Sequence, residues 1–354
     1  MPAEREPEPN AAADQEPAPS RRPRVGAALK TVLRQREIIT VAIIIVTAFV
    51  FHLLTMSSEP GRWPSVFVQT SNLKSMLAPL AMTAIVAVGM LLVLICGGFD
   101  LSVGAVVALA GLVAGLTVKA TGGNLFLTFA AGISVGVIVG LINGIVVTKF
   151  SVNPLIATLG MMSVARGLAL AYVQKYGVVS GFPRNFLDFA WETHIWIKGG
   201  AIVLIAIAIA ALGDVLLRNS RWLRQLYYIG GNQDAARLSG INVNLVRAST
   251  YVVCGALAAL VGVFYAARYS EASAEAGVGM ELQVIAACVI GGASLAGGQG
   301  TALGAVLGCT LMSIISNGLQ TWGVKPAWQQ VALGVVLIVA VTIDMFIARR
   351  RSAR

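Results

Sequence analysis

Long apolar stretches follow one another along most of the chain, at about 38–56, 76–96, 101–118, 125–148, 154–174, 199–217, 248–268, 282–296, 301–318 and 327–347. About 20 apolar residues span a bilayer core as a helix, so the pattern predicts an all-α polytopic membrane protein of about ten transmembrane helices. The third, eighth and ninth runs are short or interrupted by glycine, which predicts broken or re-entrant elements. The first run is read as a retained span, since a long leader precedes it, rather than as a cleaved signal peptide. Residues 1–23 carry six of the twelve prolines and five acids. They have nothing to bury, and predict a disordered cytoplasmic tail. Between 24 and 37, Val25, Leu29, Val32 and Leu33 alternate at helical spacing with Arg24, Lys30, Arg34 and Arg36, the pattern of an amphipathic helix on the inner leaflet. A membrane domain then covers 38–348, and 349–354 forms a basic cytoplasmic tail.

Composition agrees. Of 354 residues 57% are hydrophobic and only 12% charged, against about 25% charged in soluble domains, which excludes a soluble enzyme. The 38 glycines suit helices whose backbones approach closely in lipid. The net charge of +10 describes topology rather than nucleic-acid binding. With both termini in the cytoplasm, 17 Lys and Arg fall inside, eight outside, and Arg166 alone within a span; this asymmetry supports an even count with N-in, C-in topology.

Enzyme signatures are missing. His52 and His194 stand far apart, no Gly-Lys pair can end a phosphate-binding loop, and Cys96, Cys254, Cys288 and Cys309 all sit in apolar runs as small packing residues. No metal site is expected. Asp100 lies in a glycine-rich turn at the end of a span, where an acid is costly unless it has a partner or a task; it either caps the helix that begins near Leu101, with Ser102, or lines a pathway. Arg166, mid-span, needs a counter-charge, backbone carbonyls or water, and Asp100 is one candidate partner. Asn143 and Asn317 can bond a solute hydroxyl or another helix. Glu271, Glu275 and Glu281 cluster on the expected outer side, and Trp191 and Trp196 read as interfacial anchors.

The one substantial inward loop, 218–247, contains Gly230-Gly231-Asn232-Gln233-Asp234-Ala235-Ala236-Arg237-Leu238-Ser239-Gly240. An acid suits a helix N-terminus, paired alanines admit a close partner, and Gly240 can stop the helix; an ordinary amphipathic surface helix explains the segment equally well. Asp-Ala-Ala with glycine four residues on resembles the coupling motif of ATP-binding-cassette (ABC) importers. Gly97-Gly98-Phe99-Asp100-Leu101-Ser102-Val103-Gly104 resembles the signature of the ribose/xylose-type permease family of ABC sugar importers. Asn153-Pro154 to Gly160, Arg166-Gly167, and Gly291-Gly292 through Gly300-Thr301, Asn317-Gly318 and Trp328-Gln329 resemble further parts of that family.

The resemblance, over about 72–344, implies a multi-pass permease subunit of a bacterial cell membrane. It would import a monosaccharide or related polar solute by alternating access, without enzymatic activity. Gly230, Gly231, Asn232, Asp234, Ala235, Ala236, Arg237 and Gly240 would couple it to a cassette ATPase that holds ATP and magnesium, this chain binding no cofactor. Asp100, Ser102, Asn143, Asn153, Arg166 and Asn317 are the candidate pathway or structural polar residues. An extracytoplasmic solute-binding protein and a second permease copy, or a paralogue, complete the expected partners. The alternatives are an ion-coupled carrier, which needs mid-span acids beyond Asp100, Asp214 and Asp344, and a membrane enzyme, which needs clustered His or carboxylates. Neither has use for a cytoplasmic docking helix.

Overall fold

A computed structural model describes residues 36–58, 65–191, 193–194 and 197–352. The expected tail at 1–23 and most of the interfacial helix at 24–37 lie outside these residues; Arg36 and Glu37 instead open the first helix. In chain order the helices are α1 (Arg36–Ser58), α2 (Thr70–Ile95), α3 (Val103–Ala120), α4 (Leu125–Thr148), α5 (Pro154–Tyr176), α6 (Arg184–Trp191), α7 (Gly200–Asn219), α8 (Arg221–Gly231), α9 (Gln233–Leu238), α10 (Val243–Tyr269), α11 (Met280–Ile290), α12 (Ala302–Thr321) and α13 (Pro326–Ser352). Among the described residues eight helices are long and apolar enough to cross a membrane, and α11 and the apolar part of α13 are shorter. These ten match the ten apolar runs. The expected basic tail at 349–354 is helical through Ser352.

Of the three runs expected to be broken, only the eighth is short, at 11 residues in α11. α3 and α12 are continuous helices. Their glycines serve close packing rather than interruption: a Cβ on Gly111 would lie 3.0 Å from the Gly262 carbonyl, and one on Gly308 only 1.8 Å from that of Ala287.

α2, α3 and α10 are largely buried, with α4 laid along α10 and α5 beside α3 and α4. The α4–α10 seam is a small-residue stripe. Gly132, Gly136, Gly140 and Gly144, four apart, face Val263, Gly255, Tyr251 and Ala248. Lipid provides no hydrophobic drive between helices, so backbone approach of this kind supplies the packing. α12 joins α1, α2 and α11. Around this core α1, α5, α7 and α13 present exposed large apolar side chains, among them Val46, Leu168, Ile207 and Ile338. Lipid accounts for such a surface, and water would not.

Two helices end in the same way. α2 stops with Gly97 left-handed (φ 73°), Gly97 N bonding Leu94 O and Gly98 N bonding Val93 O. α11 stops with Gly292 left-handed (φ 99°), Gly292 N bonding Val289 O and Ala293 N bonding Cys288 O. Both are the C-terminal stop that glycine permits because it lacks a Cβ. On the opposite side, a short pairing of Val179–Ser180 (β1) with Glu271–Ala272 (β4) ties the segment after α5 to that after α10. Thr193–His194 (β2) pairs with Ile197–Lys198 (β3).

Candidate coupling and translocation elements

The candidate coupling segment folds as two short helices. Ser220 caps α8, whose Leu226 and Ile229 are buried. Asn232 caps α9, its Oδ1 accepting from Asp234 N (3.1 Å) and Ala235 N (3.0 Å). Gly240, at φ 81°, ends α9, with Ile241 N bonding Ala236 O; this is the stop expected of it. Asp234, Ala235, Arg237 and Leu238 face outward, Leu238 being 91% exposed. The paired alanines do not act alike. Ala236 is buried, 3% exposed, under α9, so only Ala235 is open to a partner. A groove of about 740 Å³ runs between α8 and α9, edged by Arg221, Arg224 and Tyr228.

Gly230 anchors this unit to the transmembrane core. A Cβ there would lie 1.9 Å from Ile95 O and 2.3 Å from Gly298 N, whereas one on Gly231 would meet nothing within 4 Å. Gly298 N itself donates to Ile95 O (2.8 Å), and Tyr227 Oη donates to Gly300 O (2.8 Å). The end of α2, the 291–301 turn and α8 therefore meet backbone on backbone. The same turn holds both ends of the described chain: Thr301 Oγ1 donates to Glu37 Oε1 (3.2 Å) and Leu295 N to Asp344 Oδ2 (3.2 Å). The start of α1, the end of α13 and the coupling helices thus share one side of the bundle.

Asp100, Ser102 and Asn143 come together. Asp100 Oδ1 accepts from Ser102 N (2.9 Å) and Ser102 Oγ (2.6 Å), and Asn143 Nδ2 donates to Ser102 Oγ (3.0 Å). All three are buried, so the network pins the α2–α3 turn to α4. Asp100→Ala strands the two Ser102 donors and is expected to destabilise the protein by about 1–3 kcal/mol. Asp100→Asn keeps an acceptor and should cost less. Thermal melts of the two purified variants check this ordering; equal melting temperatures for both would refute it.

The other candidates lie apart. Asn153 is exposed and caps α5 through Leu155 N (2.9 Å), ahead of Pro154. Asn317 makes a reciprocal amide pair with Asn72 (2.8 and 3.0 Å), joining α12 to the start of α2. Arg166 does not pair with Asp100, whose bonds go to Ser102. Its Nη1 donates instead to the carbonyls of Ala274 and Ala276, the latter at 2.8 Å. Glu281 also departs from expectation: it turns inward at the start of α11, half-buried, while Glu271 and Glu275 remain exposed. Trp191 carries the Arg268 guanidinium over its ring at 4.3 Å; Trp196 lies outside the described residues. The two acids near span ends are engaged: Asp214 pairs with Arg218 at 2.7 Å and Asp344 accepts from Leu295 N at 3.2 Å. Among the described residues no cluster of His, Cys, Asp or Glu could hold a metal ion.

A profile of the family described as branched-chain amino acid transport system / permease component matches residues 72–341. The chain belongs to this family of ABC-importer permeases. The permease is 39% identical to the ribose import permease protein RbsC of Escherichia coli (strain K12) over 287 residues, covering 78% of this chain and 87% of that one. It is 38% identical to RbsC of Bacillus subtilis (strain 168) over 289 residues, 81% and 87% of the two chains. It is 31% identical over 329 residues to the galactose/methyl galactoside import permease protein MglC of Escherichia coli (strain K12), 89% and 95% of the two. No solved structure matches the chain. The permease is a multi-pass protein of the bacterial inner membrane, and the ATPase activity of such importers resides in a partner subunit.

Proposed function

We propose that the permease is one of two copies in an importer for a neutral monosaccharide or related polyol. Ten crossings, with both termini in the cytoplasm, form a pathway that alternates between outward and inward access. The α8–α9 element carries this reading. It exposes Asp234, Ala235, Arg237 and Leu238 to a partner while Gly230 seats it rigidly on the ends of α2 and the 291–301 turn. Movement imposed on α9 by a closing ATPase, which binds ATP and its magnesium ion, passes through these backbone contacts to α2, α11 and α12. The sugars named for RbsC and MglC support the substrate class. The common side of α1's start, α13's end and α8–α9 supports the even span count. On the opposite side, exposed Glu271 suits the basic rim of a solute-binding protein.

The test is co-purification with the cassette ATPase. A partner packed against α9 has to desolvate any charge placed there. Ala235→Glu together with Leu238→Asp changes two exposed side chains and should abolish the complex, while the variant still inserts and elutes as a single species. Retention of the ATPase by the double variant would refute α9 as the docking element. Uptake driven by a proton gradient with no ATPase present would overturn the importer reading as a whole.

A further inference from the structure

The chain between β4 and α11, residues 273–279, is not an outer loop. Gly115 of α3 touches Ala272, and Gly104 touches Gly277, where a Cβ would lie 2.2 Å from the Gly277 carbonyl. These glycines are eleven residues apart, about 16 Å along the helix axis. The segment therefore follows α3 into the bilayer as a series of turns, and α11 starts at that depth. Irregular backbone at membrane depth survives only where it is buried in protein or lines a watery cavity. Arg166 supplies part of the protection by bonding the carbonyls of Ala274 and Ala276. It stands twelve residues from Pro154 and ten from Tyr176, about 18 Å and 15 Å from the two ends of α5, and so lies near the midplane.

Beside it opens a cavity of about 330 Å³, lined by Met162, Ser163, Arg166, Gly167, Val278 and Glu281. Glu281 borders this cavity, with its Oε2 buried on the Gly104 side, where a Cβ on Gly104 would lie 2.5 Å from it. Val278, on the rim, is 69% exposed. An Arg and a Glu opening together onto hydrocarbon would each cost about 2.5–3.5 kcal/mol, so this mouth faces water or a second copy rather than lipid. The volume is at the small end of ligand cavities, about 300–1,000 Å³. One cation and one anion leave no net charge to attract an ion. Glu281 lines the cavity, and a carboxylate there accepts hydrogen bonds from hydroxyl donors.

We propose that this cavity is a solute-contacting site at the midplane of the pathway, where Glu281 accepts hydrogen bonds from an uncharged polyhydroxylated solute and Arg166 holds the 273–279 segment in place. The assignment rests on the importer reading and identifies where the solute passes.

The experiment uses the assembled permease–ATPase complex. The four native cysteines are buried and leave a low background for labelling. Ser163→Cys and Val278→Cys should react with a membrane-impermeant cationic thiosulfonate, and the reaction should slow in the presence of ribose or galactose. Leu212→Cys, on the exposed face of α7, should react only with a lipid-soluble maleimide. Glu281→Gln should lower solute moved per ATP by about tenfold or more, the size of one hydrogen bond to a charged group, with ATPase retention unchanged. Glu281→Asp should recover part of that loss. Reaction of Ser163→Cys and Val278→Cys with the maleimide alone would overturn the proposal, as would labelling that no pentose or hexose slows or unchanged transport by Glu281→Gln. Failure of the wild-type chain to retain an ATPase would instead refute the importer reading, which the labelling pattern does not depend on.

Discussion

Gly230→Ala is expected to cut ATP-driven uptake by about tenfold or more and to lower the melting temperature of the importer, whereas Gly231→Ala leaves the melting temperature unchanged or raises it. Both residues sit in the last turn of α8, and in the open alanine is the better helix former by about 1 kcal/mol. Their surroundings decide the outcome. The methyl group at 230 would fall 1.9 Å from Ile95 O and 2.3 Å from Gly298 N. Both are backbone atoms, and they are hydrogen-bonded to each other at 2.8 Å. Neither can swing aside as a side chain would, so α8 must lift or the Gly298–Ile95 bond must open. Overpacking of this kind costs about 1–3 kcal/mol, and here it falls on the contact that joins α8 and α9 to the membrane core. Uptake and melting measured on both variants check the prediction. Indistinguishable behaviour of the two would mean that the contact does not transmit movement.

The second large effect belongs to the α4–α10 seam. Gly136→Val should abolish recovery of folded, monodisperse protein, while Gly160→Val on α5 should be recovered at close to the wild-type level. At Gly136 a Cβ would lie 2.0 Å from Gly255 O, and at Gly255 it would lie 2.2 Å from Gly136 O. The crowding is mutual, so neither helix can relieve it by rotating. Separating them also disturbs the neighbouring contacts of Gly132, Gly140 and Gly144 along the stripe. The expected loss exceeds about 3 kcal/mol, at the severe end for single substitutions. Gly160 meets nothing within 4 Å, and valine, a better helix former than glycine by a few tenths of a kcal/mol, should cost nothing there. Size-exclusion profiles of fluorescent fusions distinguish the two outcomes. Equal recovery would show that the seam tolerates expansion.

Glycine also marks where local reading succeeded. Gly240 stops α9 in the left-handed conformation as its residue type suggested, Gly97 and Gly292 stop α2 and α11 in the same way, and the backbone bonds that accompany such a stop involve residues only a few positions away. The α9 cap at Asn232 is equally local, although its role as a cap was not distinguished in advance from a partner contact. Arg166 was recognisable as a charge that needs partners. Its partners were not recognisable, because Ala274 and Ala276 lie more than a hundred residues further on and offer only carbonyls, which no residue type advertises. Glu281 looked like one of three outer-loop acids because residues 273–279 are mostly small, with Glu275 among them, a composition that fits an exposed loop as well as a buried turn.

From sequence alone came the positions of the apolar helices, the stop at Gly240, the charge asymmetry between the expected two sides and the candidate docking segment. Each of these depends on residue type within a window of about one helix. Only the tertiary structure decided which helices form the core. α4 is more apolar than α10, yet α10 is mostly buried and α4 mostly exposed. In water the apolar face of a helix points to the protein interior, and periodicity reveals it. In a bilayer the lipid side and the protein side are both apolar, so hydropathy cannot tell them apart. The distinction lies in which small residues let two backbones meet, as Gly136 and Gly255 do, and a contact of that kind exists only once the helices have been assembled.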